Sequence, residues 1–193
     1  MGTNPSEFKG STRPVEKVSW CDAVLFCNRL SALEGLEPCY ELPEPFENTM
    51  KWSQKVIWNR EANGYRLPTE AEWEYCARGG EEHLYSGSDN IDEVAWYREN
   101  SGRQTHGVGQ KKANGYGLYD MSGNVEEWVW DTYSTYERGD VTDPSIDKSS
   151  PSRVFRVGSW DDDAWFTRVS FRDRNNASNR SNYQGFRFLR TIP

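Results

Sequence analysis

From residue 81 onward the chain is cut into short segments by Gly, Asn, Asp and Ser, as in "NGYGLYDMSGNVEEWVWD", "RVFRVGSW" and "GFRFLRTI". Segments this short between turn formers read as strands, so the helices must lie in the first 80 residues. Two do. "VSWCDAVLFCNRLSALEG" sets Ala23, Phe26, Cys27, Leu30 and Leu33 along one helical face, opens on a Ser19/Asp22 capping pair and closes on Gly35. "PTEAEWEYCARGG" begins a second helix, with Thr69 as cap, Glu72 returning the bond, Gly79-Gly80 as the stop, and Trp73 and Cys76 toward the core. Between them "KWSQKVIWNREANGYRL" predicts a β-hairpin turning at Asn63-Gly64. Two main helices, short antiparallel strands and long irregular loops make an α+β chain without internal repeats.

A length of 193 residues suits one domain, 1–193, with a substantial core. Nine Trp, ten Tyr and eight Phe within an apolar fraction of only 35% predict an aromatic core supported by polar networks. The net charge of −7 argues against nucleic acid or an anionic membrane as partner, leaving a protein or other surface ligand. No run of 18 apolar residues occurs, and Met1 is followed by polar "GTNPSEFKG". Neither a spanning helix nor a signal peptide is expected, which makes the cytoplasm the default location and leaves surface display open. Cys21, Cys27, Cys39 and Cys76 form no C-x-x-C pair, and two His do not complete a zinc site, so buried free thiols are expected.

Taken together, "YRLPTEAEWEYCARGG" (65–80), "NGYGLYDMSGNVEEWVWD" (114–131), "RVFRVGSW" (153–160) and "GFRFLRTIP" (185–193) resemble the formylglycine-generating enzyme/sulfatase-modifying factor family. "MGTNPSEFKGSTRPVEKVSWCDAVLFCNRLS" resembles its upstream segment. The resemblance implies a C-type lectin-like fold. This chain departs at Val157, where "RGGSW" is usual, and lacks the strands that the family usually places before this point.

Oxidases of that family use two cysteines near the C-terminus to bind copper and attack a thiol, chemistry that needs soft, nucleophilic thiolates. The resemblance places those positions at Asp162 and Thr167, and no Cys follows Cys76. No catalytic residue is therefore expected, and no nucleophile elbow or phosphate loop takes the place of one. Asp161, Asp162 and Asp163 read either as an acid/base or metal cluster or as a solvated loop. "DMSGNVEEW" resembles the family's calcium loop, which implies structural calcium held by the side chains of Asp120 and Glu127 and the carbonyls of Gly123 and Val125. The other reading of that loop is closure by hydrogen bonds from Asn124 and Glu127.

The last Glu is Glu137 and the last Lys is Lys148, while residues 149–193 hold eight Arg and four Asp. That alphabet resembles the variable region of target proteins diversified by retroelements, in which adenines of AAY codons are replaced and Lys, Glu, Gln, Met and Trp cannot arise. From 161 to 183 every residue but Trp165 fits. The resemblance implies a variable region, 153–190, that presents Asp161, Asp163, Trp165, Phe166, Phe171, Asp173, Asn175, Ser178, Asn179, Ser181 and Tyr183 to a ligand. Trp160, Val169, Phe186 and Leu189 are expected beneath it, with arginines such as Arg168 and Arg172 tying the loops. The alternative function is a degenerate or partner-dependent relative of the oxidases.

Overall fold

The structure, a computed structural model, describes residues 3–136, 139–147 and 150–191. Two capped helices frame a four-stranded sheet, the α+β arrangement of two main helices and short strands that the C-type lectin-like expectation calls for. Helix α1 spans Trp20–Leu33 behind a complete Ser19/Asp22 capping box. Three short elements follow: β1 (Tyr40–Glu41), α2 (Met50–Ser53) and β2 (Ile57–Trp58). Next come β3 (Tyr65–Arg66) and α3 (Glu70–Arg78), the latter capped reciprocally by Thr69 and Glu72 and stopped by Gly79 at φ 61°. After α4 (Ile91–Val94) the chain makes β4 (Glu126–Thr132), β5 (Ser152–Arg156), a 3-10 turn at Ala164–Thr167, β6 (Arg172–Asn176), β7 (Gln184–Phe186) and β8 (Leu189–Arg190).

The main sheet runs β6-β5-β4-β7, with β7 parallel to β4 and the other pairs antiparallel. Facing residues in a ladder share a side. Register therefore assigns Trp128, Phe155, Asp173 and Phe186 to one face and Glu127, Arg156 and Arg172 to the other. The first face packs on α1 through a cluster of rings: Tyr40 stacks on Trp130 at 5.1 Å, with Trp20 and Trp58 each 5.4 Å from the same ring. The second packs on α3 through Trp73, Val129 and Val154. All seven residues of β4 are buried, as a central strand covered on both faces must be.

Three expectations change. The 51–67 hairpin does not form: β2 pairs with β1 and β3 pairs with β8. Asn63 instead accepts a hydrogen bond from the amide of Glu37, and Gly64 lies so close to Glu37 O that a β-carbon would meet it at 2.3 Å. Helix α1 buries Trp20, Cys21, Ala23, Val24, Cys27 and Ser31, so its inward face is rotated from the sequence reading and Leu33 is 72% exposed. Cys76 is only half-buried beside the α3 cluster.

Candidate functional site

Strand β5 ends at Arg156, and Val157 at φ 57° swings the chain away from the sheet. The turn is closed by Ser159, whose amide and hydroxyl both donate to Asp162 Oδ2 at 2.8 and 2.7 Å. Thr167, fully buried, donates its hydroxyl to Ala164 O at 2.9 Å. The two positions that the resemblance sets against the oxidase cysteines thus hold hard oxygen groups engaged in shaping their own loop. Trp160 lies below as a buried platform, its Nε1 donating to Asn182 O at 3.0 Å and its ring meeting Phe8 edge-on.

None of the eleven surface candidates is buried. Asp161, Asp163, Trp165, Phe166 and Asp173 are exposed, and Phe171, Asn175, Ser178, Asn179, Ser181 and Tyr183 are half-exposed. Trp165 stands 60% exposed with the Arg168 guanidinium 3.5 Å from its ring centroid, and Phe166, 37% exposed, meets Phe171 edge-on at 5.2 Å. Phe171 is less free than expected because its inner edge joins the main core near Phe155. Trp160 and Val169 are buried as anticipated, whereas Phe186 and Leu189 are half-buried. Phe186 lies toward a cleft that leaves part of its ring uncovered.

The segment is held mainly through its own backbone. Lys17 N donates to Ser181 O at 3.0 Å, Cys21 N to Ala177 O at 3.3 Å, Arg98 N to Asp162 O at 3.0 Å and Glu126 N to Tyr183 O at 2.8 Å. Asn48 Nδ2 adds a bond to Ser178 O at 2.9 Å. Every acceptor here is a main-chain carbonyl. Arginine ties reinforce them from the opposite face: Arg156 donates to Phe171 O and Val169 O, and Arg172 grips Glu70 with bonds of 2.6 and 2.7 Å. Arg168 makes no such tie and rests on Trp165 instead.

Two participants had no sequence signal. Arg98, far upstream, pairs with Asp163 at 2.7 Å and bonds the carbonyl of Asp161 at 2.8 Å. Glu126, at the head of β4, is only 7% exposed and takes an amide bond from Gln184 at 3.1 Å. Burial foremost, and then the charges of Asp162 and Asp173, push its pKa well above the usual carboxylate range. Those two charges reach it from the 159–162 turn and from β6, which brings both elements to the same end of the sheet.

The implied calcium residues are arranged differently from a cation cage. Both Glu127 oxygens are gripped by Arg187 at 2.6 and 2.7 Å, and Oε2 also accepts from Trp73 Nε1 at 2.6 Å. Asp120 Oδ2 accepts from Gly109 N at 2.8 Å, and burial is the main reason its pKa is raised. Gly123, at φ 78°, approaches Trp96 O so closely that a β-carbon would meet it at 2.4 Å. Asn124 clamps His106, accepting from its amide and donating to its carbonyl. Val125 is buried. The Arg187 guanidinium thus already pairs the charge of Glu127, one of the two carboxylates of the implied calcium set Asp120, Gly123, Val125 and Glu127. Among the described residues no group of three or more His, Cys, Asp and Glu is arranged to hold a metal, and no helix is long and apolar enough to cross a membrane.

The model of the sulfatase-modifying factor enzyme 1-like domain matches residues 1–192. The chaperone protein LppX of Paenibacillus barcinonensis is 41% identical over 99% of this chain and 74% of its own. The formylglycine-generating enzyme of Streptomyces coelicolor is 34% identical over 72% of this chain, a match that spans 50% of that enzyme. Among solved structures, Treponema denticola variable protein 1 superposes with a TM-score of 0.90 at 38% identity, covering 97% of this chain and 77% of that one.

Proposed function

The chain belongs to the sulfatase-modifying factor enzyme 1-like domain family, and on that footing we propose that it is a non-catalytic ligand-binding protein whose C-terminal surface is diversified by a retroelement. The observation that carries this reading is an exposed Trp165 and Phe166 on a loop whose main chain is held at many points by segments outside it. Large rings ordinarily seek the core. Rings kept outside on a rigid backbone give contact area at low entropic cost, as antibody paratopes do, with Asp, Asn and Ser beside them as adaptable polar contacts. The likeness to a protein named for its variability, at a TM-score of 0.90, supports the same reading.

Two measurements test it. The gene neighbourhood should hold a reverse transcriptase gene and a near-copy of the codons for 153–190. A Trp165→Ser/Phe166→Ser variant should melt within about 2 °C of the parent, since exposed substitutions usually cost under ~0.5 kcal/mol, yet lose the peptides that the parent selects from a random display library. Absence of the template together with unchanged peptide selection would defeat the proposal.

A second reading, catalysis with a partner, is favoured by the 34% identity to the Streptomyces enzyme. With Asp162 and Thr167 at the cysteine positions, a thiol peptide incubated with copper and oxygen should remain unoxidised. Turnover above a boiled control would reverse the non-enzyme assignment.

A further inference from the structure

The C-terminal 45 residues read as basic, with eight Arg against four Asp, yet the surface they build is not. Five of those arginines are paired with acids from earlier in the chain: Arg153 with Asp147, Arg156 with Glu70 and Glu74, Arg172 with Glu70, Arg180 with Asp22, and Arg187 with Glu127. Arg190 donates to Asn63 O, and Arg174 lies over Tyr133 on the α3 side of the sheet. The Asp residues have the opposite fate. Asp161, Asp163 and Asp173 are exposed and Asp162 half-exposed, the first three in sequence on the loop that carries the exposed rings and Asp173 on β6 just after it.

The outward balance around that surface is therefore the four carboxylates of Asp161, Asp162, Asp163 and Asp173 against the guanidiniums of Arg98 and Arg168. Arg98 is already paired with Asp163, and Arg168 is stacked on Trp165. Among the described residues no cation pairs with Asp161 or Asp173, and Glu126 has an amide, not a cation, as its partner.

Resting on the binding-surface reading above, we infer that in this chain the surface docks a protein segment presenting lysine or arginine side chains. An ammonium or guanidinium group fits both halves of what is on offer. It pairs with the carboxylates of Asp161 and Asp173, which have no cation of their own, and it rests on the rings of Phe166 and Tyr183 and on the side of Trp165 that Arg168 leaves open, where a desolvated cation is held most strongly. The overall charge of −7 steers such a partner toward the protein. An acidic or phosphate-bearing partner would meet like charge at each of these carboxylates.

The test is to pan a random peptide display library on the intact protein after depletion on the Trp165→Ser/Phe166→Ser variant, then titrate the enriched peptides. Lysine and arginine should be enriched, and the dissociation constant should weaken with added salt. It should also weaken about tenfold for Asp161→Asn/Asp173→Asn, the loss expected from removing two partly exposed charge pairs. These substitutions keep the side-chain shape, and Asp161→Asn alone serves if the double variant melts lower. Peptides that depend on the rings but are not enriched in basic residues, or an unchanged dissociation constant in the Asn variants, overturn the charge inference and leave the binding surface standing. Recovery of no ring-dependent peptide overturns both.

Discussion

At φ 57° Val157 holds a β-branched side chain in the left-handed region, which favours glycine, and it does so fully buried beside Val154 and Val169. A glycine here would avoid a strain of about 1–3 kcal/mol, whereas this chain offsets it by packing the valine methyls. Truncation should separate the two effects. Val157→Gly and Val157→Ala both forfeit the methyl contacts, but only alanine retains a β-carbon. The glycine variant should therefore be the more stable of the pair by about 1 kcal/mol in urea denaturation, the reverse of the usual order. Equal stabilities would show that the turn is relaxed. Glu126 yields a second prediction. Its folded pKa is raised above the unfolded value, so its contribution to stability is full below the ordinary glutamate range and is lost as pH rises toward the folded value. Glu126→Gln keeps an oxygen for the Gln184 amide and cannot ionise. The stability of the variant relative to the parent should accordingly increase between pH 4.5 and pH 8, and a constant difference would mean that Glu126 ionises freely.

Helix α3 and strands β5 and β6 are joined by charge as much as by apolar contact. Glu70, nearly buried at the start of α3, lies between Arg156 at 3.1 Å and Arg172 at 2.6 Å, and Tyr136 donates to the same oxygen at 3.0 Å. Arg156→Met leaves Glu70 and Glu74 short of a cation in a dry site and should cost about 3–5 kcal/mol. Arg180→Met breaks only the outer pair with Asp22, whose members are 46% and 23% exposed, and should cost under about 1 kcal/mol. Similar losses from the two would deny the inner network its special place. The elements fall into legible and illegible classes for the same reason of range. Both main helices announced themselves because a capping box and a terminal glycine act within one turn. Asn63-Gly64 misled because its partners, Glu37 and Ser31, lie a helix-length away, and β3 finds its mate at Leu189–Arg190 near the other end of the chain. The surface candidates were legible as a set because their alphabet marks the segment. Arg98 and Glu126 were not, since they enter the site only through folding.

For the molecule as a whole, the grip of Arg187 on Glu127 predicts a stability independent of added calcium. Excess chelator should leave the melting temperature unchanged, because a ligand that does not bind the native state cannot shift its equilibrium. A fall of more than about 4 °C would restore a bound ion at Asp120 and Glu127. The hydrogen bonds that hold residues 162–183 have the widest reach. Their acceptors are carbonyls that every amino acid carries, so this part of the attachment is indifferent to the exposed side chains, while Asp162, Thr167, Val169, Arg172 and Ala177 anchor the stretch from below. With those anchors kept, its exposed positions should be interchangeable. Transplanted between relatives of this fold, or rewritten for a chosen target, it should seat on the same donors at Lys17, Cys21, Asn48, Arg98 and Glu126, which makes the protein a ready chassis for engineered binders.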